Sequence, residues 1–176
     1  MTDQELQEYL ELLRRKGWRV ELWAAGGPPA LDSSFTQRYP RIPEDYLRFL
    51  QQVSSCVNAD ETVWYLCHND YNNQSDSDWA WNAMEQIDLE GTEDEDQKSE
   101  IVEFWKQHLP FMLSVVGEYA YVAFRLAAGK FGTVVEGYDI ELTEPAEVVP
   151  SFSDFVRLHS ALLSGESRSE LLGDYV

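Results

Sequence analysis

Cysteine, histidine and positive charge are all scarce in this chain, which has two Cys, three His and thirteen Lys or Arg among 176 residues. Cys56 and Cys67 lack the C-x-x-C spacing of zinc or thioredoxin sites, and a single bridge would be a thin framework for a secreted protein. Both therefore read as buried thiols. His68, His108 and His159 are forty or more residues apart, unlike the grouped ligands of a zinc site. His108 and His159 fall on apolar helical stripes and read as core histidines. No P-loop, dinucleotide-binding glycine fingerprint or Gly-x-Ser-x-Gly elbow occurs, and "GKFGT" lacks the spacing of a phosphate loop. No cofactor and no metal are expected. Apolar runs fall well short of the ~20 residues that span a bilayer, and no basic-apolar leader opens the sequence, so a cytoplasmic address is expected.

Acid is abundant instead. The net charge is −19, and residues 59–108 carry fourteen acids against two bases. Such a field repels nucleic acid and anionic membranes and speeds encounter with a cationic partner. With 44% hydrophobic and 13% aromatic residues there is ample material for a core, and the length suits one domain over 1–176.

Local signals outline an α+β pattern. Thr2-x-x-Glu5 reads as a capping box, followed by Leu6, Tyr9, Leu10 and Leu13 on one helical face and Gly17 as the stop, which predicts a helix over 2–17. "WRVEL" alternates Trp18, Val20 and Leu22 as a strand closed by "GGPP". Pro43 opens a second helix at its first turn, with Tyr46, Phe49, Leu50 and Val53 as the buried stripe. "TVWYLC" is a short strand. A helix is possible near Trp79 to Asp88, and a firmer one carries Ile101, Phe104, Trp105 and His108 on one face. Gly117-Glu118 separates two strand-like runs as a II′ turn would, "TVVEGYD" adds a third strand of a meander, and Ser151-x-x-Asp154 caps a last helix with Phe152, Phe155, Val156, His159 and Leu162 facing inward. The expected architecture is an antiparallel meander flanked by helices, with a core over roughly 39–163 and a short tail at 164–176.

The stretch "WYLCHNDYNNQSDSDWAW" is the richest in reactive types. Read as a strand, it places Cys67 and His68 on opposite faces, a buried thiol and an outward imidazole that do not form a dyad. A calcium loop fails too, because from Asp70 the required glycine is Ser75 and the bidentate acid is Trp81. Asp70, Tyr71, Asp76, Asp78, Trp79 and Trp81 instead have the mixed aromatic and acidic character of a partner-binding surface, with Glu93, Asp94, Glu95 and Asp96 as a second candidate. The competing reading buries the tryptophans and leaves the acids to cap and solvate.

Three stretches together resemble the SUKH superfamily, which includes fungal cell-wall-synthesis regulators and bacterial immunity proteins. "YPRIPEDYLRFLQQV" is similar to the family's opening helix at Ile42, Pro43, Asp45, Tyr46, Phe49 and Leu50. "LPFMLSVVGEYAYVAFRLAAGKFGTVVEGYD" is similar to its hairpin, glycine turn and next strand, and "VVPSFSDFVRL" to its terminal helix at Ser151, Phe152 and Phe155. Where the family usually turns at Asn-Gly after its first helix, this chain has Ser54, Ser55, Cys56, Val57 and Asn58. The resemblance implies an α+β domain without enzymatic activity that in bacteria commonly binds and neutralises a toxin, and the chain's acidity adds the expectation that this toxin is basic. A regulatory or scaffold protein of the same fold is the alternative, and a metal-dependent hydrolase built on Asp70 to Asp78 is a third class. Oligomeric state is not legible.

Overall fold

The computed structural model describes residues 1–75, 79–117, 119–138 and 144–176. Among these residues seven strands form one sheet in the simple order β1 (Arg19–Leu22), β2 (Val53–Val57), β3 (Val63–Tyr65), β4 (His108–Ser114), β5 (Ala120–Arg125), β6 (Thr133–Tyr138) and β7 (Ala146–Val149). Every neighbouring pair is antiparallel, so the chain is α+β with a meander at its centre. The helices are α1 (Asp3–Arg15), α2 (Ser33–Arg38), α3 (Glu44–Gln52), α4 (His68–Tyr71), α5 (Ala83–Glu90), α6 (Glu95–Gln107) and α7 (Phe152–Ser164), followed by a 3-10 turn at Gly173–Tyr175.

The long helices begin where the sequence has side chains to satisfy their first N–H groups. Thr2 and Glu5 form the reciprocal capping box of α1, and Ser151 accepts the Asp154 N–H at the start of α7. Gly17, at φ 90°, takes the left-handed conformation just beyond the end of α1. Helices α1, α3 and α7 press their apolar stripes on one face of the sheet. Phe49 packs on Tyr65 at 4.9 Å, Tyr46 on Phe124 at 5.1 Å and Phe155 on Phe111 at 5.1 Å. His159 lies at the floor of this core. Burial drives its pKa down to about 4, and the neutral ring accepts from the Tyr9 hydroxyl at 2.5 Å and donates to the Tyr175 carbonyl at 2.9 Å.

Several elements differ from the sequence expectation. Val53 leaves the α3 stripe and starts β2, and Ser54 to Val57, where the resemblance would place a turn, are strand. The turn falls at Asn58, whose side-chain oxygen accepts the Thr62 and Val63 N–H groups at 2.8 and 3.0 Å. Pro43 stands one place before α3, as its N-cap. Leu22 is exposed because β1 is an edge strand. His108 ends α6 and opens β4, its Nδ1–H donating to the Phe104 carbonyl at 2.9 Å. Strand β7 and helix α2, capped by Asp32, carried no signal strong enough to be read. The segment expected as a tail returns to the core, where Leu172 and Tyr175 are buried and Ser114 donates to the Asp174 carbonyl at 3.0 Å. Glu118 lies outside the described residues, so the II′ turn is not described, although β4 and β5 pair as the hairpin requires.

Candidate functional site

Residues after β3 do not continue as a strand. One helical turn, α4, follows at once, and the Asp70 carboxylate reaches back to accept the Cys67 N–H at 2.6 Å. The alternation expected of a strand therefore does not apply to His68, which turns inward against Trp23, ring centroids 6.2 Å apart. Burial holds the His68 pKa below its ordinary value and pushes the Cys67 thiol well above its own.

Two expected contact residues lie away from the surface. Tyr71 is fully buried, its ring 4.4 Å from Phe35 and its hydroxyl donating to the Pro110 carbonyl at 2.8 Å beside the Tyr46 hydroxyl. Trp81 packs edge-on against Phe35 and Tyr39 beneath the Arg38 guanidinium, which pairs with Glu85 at 2.7 Å. Both tie the segment after β3 to α2 from inside the core. Asp76 and Asp78 lie outside the described residues. Glu93, Asp94, Glu95 and Asp96 are exposed, and they do more than solvate a loop. Asp94 is the N-cap of α6, accepting the Asp96 and Gln97 N–H groups at 2.9 and 3.2 Å, while Glu95 and Asp96 place negative charge at the positive end of the helix.

Trp79 and Asp70 remain, and both line a groove on the sheet face opposite α1, α3 and α7. Strand registers put Arg19, Val57, Trp64, Leu113, Tyr121 and Gly137 in one row across that face, since directly paired residues share a side. Helix α6 covers the far end of the row, where Trp105 packs on Tyr121 at 4.9 Å and its indole N–H is held by Asp88 at 2.8 Å. At the near end a groove of about 540 Å³ opens over Val57 and Trp64, with Arg19, Glu61, Asn69, Asp70, Gln74, Trp79 and Val115 around it. Trp79 leans between Trp64 (5.9 Å) and Tyr119 (4.8 Å). Tyr119 is 40% exposed, and Val116, next in the chain to the lining residue Val115, is 39% exposed, so aromatic and aliphatic surface faces solvent beside the groove.

Trp64, Val116 and Tyr119 were not among the residues singled out from sequence. The signal for the last two was their place at the tip of a hairpin, where apolar residues have no sheet to bury them. Trp64 sits in the run Val63-Trp64-Tyr65, whose lack of polar alternation hides which face it takes. No protein-family model and no curated protein matches this chain.

Proposed function

We propose that this chain is a protein-binding domain of SUKH type that works as an immunity protein, holding a basic toxin in an inactive complex without performing chemistry of its own. The carrying observation is the half-buried Trp79 packed on Tyr119, which is exposed together with Val116 beside a groove walled by Trp64, in a chain of net charge −19. Large rigid rings supply anchoring area at little entropic cost, and the acidic surface around them steers a cationic partner and sets register. The non-catalytic part of the reading is supported by where the reactive side chains lie. Cys67 is buried with its thiol held protonated, His159 is bonded at both ring nitrogens inside the core, and His68 and His108 are buried.

The test is co-expression with the C-terminal domain encoded by the gene beside this one. A stable complex on gel filtration and rescue of growth are expected, with Trp79→Ala weakening the complex by at least about 30-fold, as an anchor residue costing about 2 kcal/mol would. A toxic neighbour that is neither bound nor blocked at matched expression refutes the immunity role. A bound neighbour that is harmless alone points to regulation instead.

A further inference from the structure

The groove beside Trp79 is lined on one side by a carboxylate that a generic contact surface does not require. Asp70 accepts the Cys67 N–H and a bond from the Ser75 side chain, and no lysine or arginine among the described residues pairs with it. Glu61, the other acid on the lining among the described residues, is on the exposed rim, where Arg19 meets it at 2.7 Å. Among the described residues, Asp70 is thus the lining carboxylate left for a cation from outside. Around it stand the indoles of Trp64 and Trp79, whose π-faces attract cations, and the neutral side chains of Asn69, Gln74 and Ser75, which offer acceptor oxygens. Trp64 Nε1–H is buried with no acceptor among the described residues, and the main-chain carbonyl next to a bound side chain is an acceptor of the kind it lacks.

We propose that this groove receives an arginine side chain from the partner protein, its guanidinium forked on Asp70 and its stem lying along the indoles of Trp64 and Trp79. This rests on reading the chain as a protein-binding domain. Arginine fits better than lysine because its planar group stacks on an indole and presents paired donors to a carboxylate at once. A free anion is disfavoured by Asp70 and Glu61, and a purely apolar side chain would leave Asp70 in a dry interface without a countercharge. The volume of about 540 Å³ suits one long side chain with its flanking backbone.

The experiment titrates N-acetyl-arginine-N-methylamide into the full-length ¹⁵N-labelled protein and follows the Trp64 indole N–H resonance, assigned with Trp64→Phe. The citrulline analogue, of the same shape without the charge, is the control. A saturable shift with Kd on the order of 1–10 mM is expected for arginine, at least about 10-fold weaker for citrulline and for Asp70→Asn, and weakened by added salt. Asparagine keeps an acceptor for the Cys67 N–H, and the dispersion of the spectrum shows whether that variant is folded. If it is not, the arginine-to-citrulline comparison in the parent protein decides alone. No shift at about 50 mM, far above that Kd, equal affinity for both probes, or full binding by a folded Asp70→Asn overturns the proposal. Binding of the arginine probe by a protein that ignores the neighbouring gene product would refute the toxin role and leave the site standing; the reverse result would do the opposite.

Discussion

Glu136→Gln should stabilise this protein above pH 7 and leave it nearly unchanged below pH 5. Glu136 sits on β6 and is 2% exposed, with one carboxylate oxygen buried and without a hydrogen-bond partner among the described residues. The C-terminal turn covers it, and the buried Tyr175 hydroxyl there is likewise without a partner among the described residues. Burial, with the Asp174 carboxylate adding repulsion, raises its pKa from the ordinary 4.5 to about 7, while a bond with Tyr138 pulls in the other direction. Between those two values the folded chain keeps a proton that the unfolded chain releases, so stability falls as pH rises through the window. At about 1.4 kcal/mol per pH unit, the interval from 4.5 to about 7 amounts to about 3 kcal/mol lost once Glu136 is ionised. Glutamine has nearly the same shape and never ionises, so the variant escapes that loss. His159, held near 4 against an ordinary 6.5, contributes a trend of opposite sign, with stability lost as pH falls from 6.5 to about 4. That trend is common to both proteins and cancels in their difference. Urea unfolding followed by tryptophan fluorescence at half-unit steps from pH 5 to 9 gives the difference curve. A variant more stable by about 2–3 kcal/mol at pH 8, converging toward the parent by pH 5, is expected. A flat difference across that range, or a variant less stable at pH 8, would refute the burial argument.

Phe49→Ala empties a fully buried site between Tyr46, Tyr65 and Phe152 and should cost about 3–5 kcal/mol, read as a fall in the urea midpoint with an unchanged slope. Gly137→Ala should cost about 1–3 kcal/mol by overpacking, because a methyl there overlaps the Tyr121 ring that crosses the strand; an unmoved thermal melt would show that Tyr121 is free to turn aside. Asp94→Ala should cost about 1 kcal/mol through loss of the α6 cap, whereas Glu93→Ala should shift stability by less than about 0.5 kcal/mol, so equal effects in denaturant would contradict the capping role.

Features whose cause spans a few residues were legible in the sequence. The capping box at Thr2 and Glu5, the Ser151 cap, the stripe Leu6-Tyr9-Leu10-Leu13 and the β4–β5 hairpin each rest on contacts within one or two turns of chain, and the structure has them where the residues imply. The α+β class followed from the order of those segments, and the excess acid between 59 and 108 from composition alone. What the sequence could not reveal was the direction of side chains in the stretch from Trp64 to Trp81. That stretch mixes aromatic and acidic residues without period, and the single turn α4 reverses the chain so that Tyr71 and His68 are buried. Only tertiary structure decided that Tyr71 and Trp81 join Phe35 and Tyr39 in the core while Trp79 meets Tyr119 at a groove, because those partners come from segments 36 to 46 residues away. The same holds for Glu136, an acid on a strand whose burial depends on a turn nearly forty residues further along. A residue's type sets how much it gains from leaving water, but which atoms cover it is settled by elements far off in the chain.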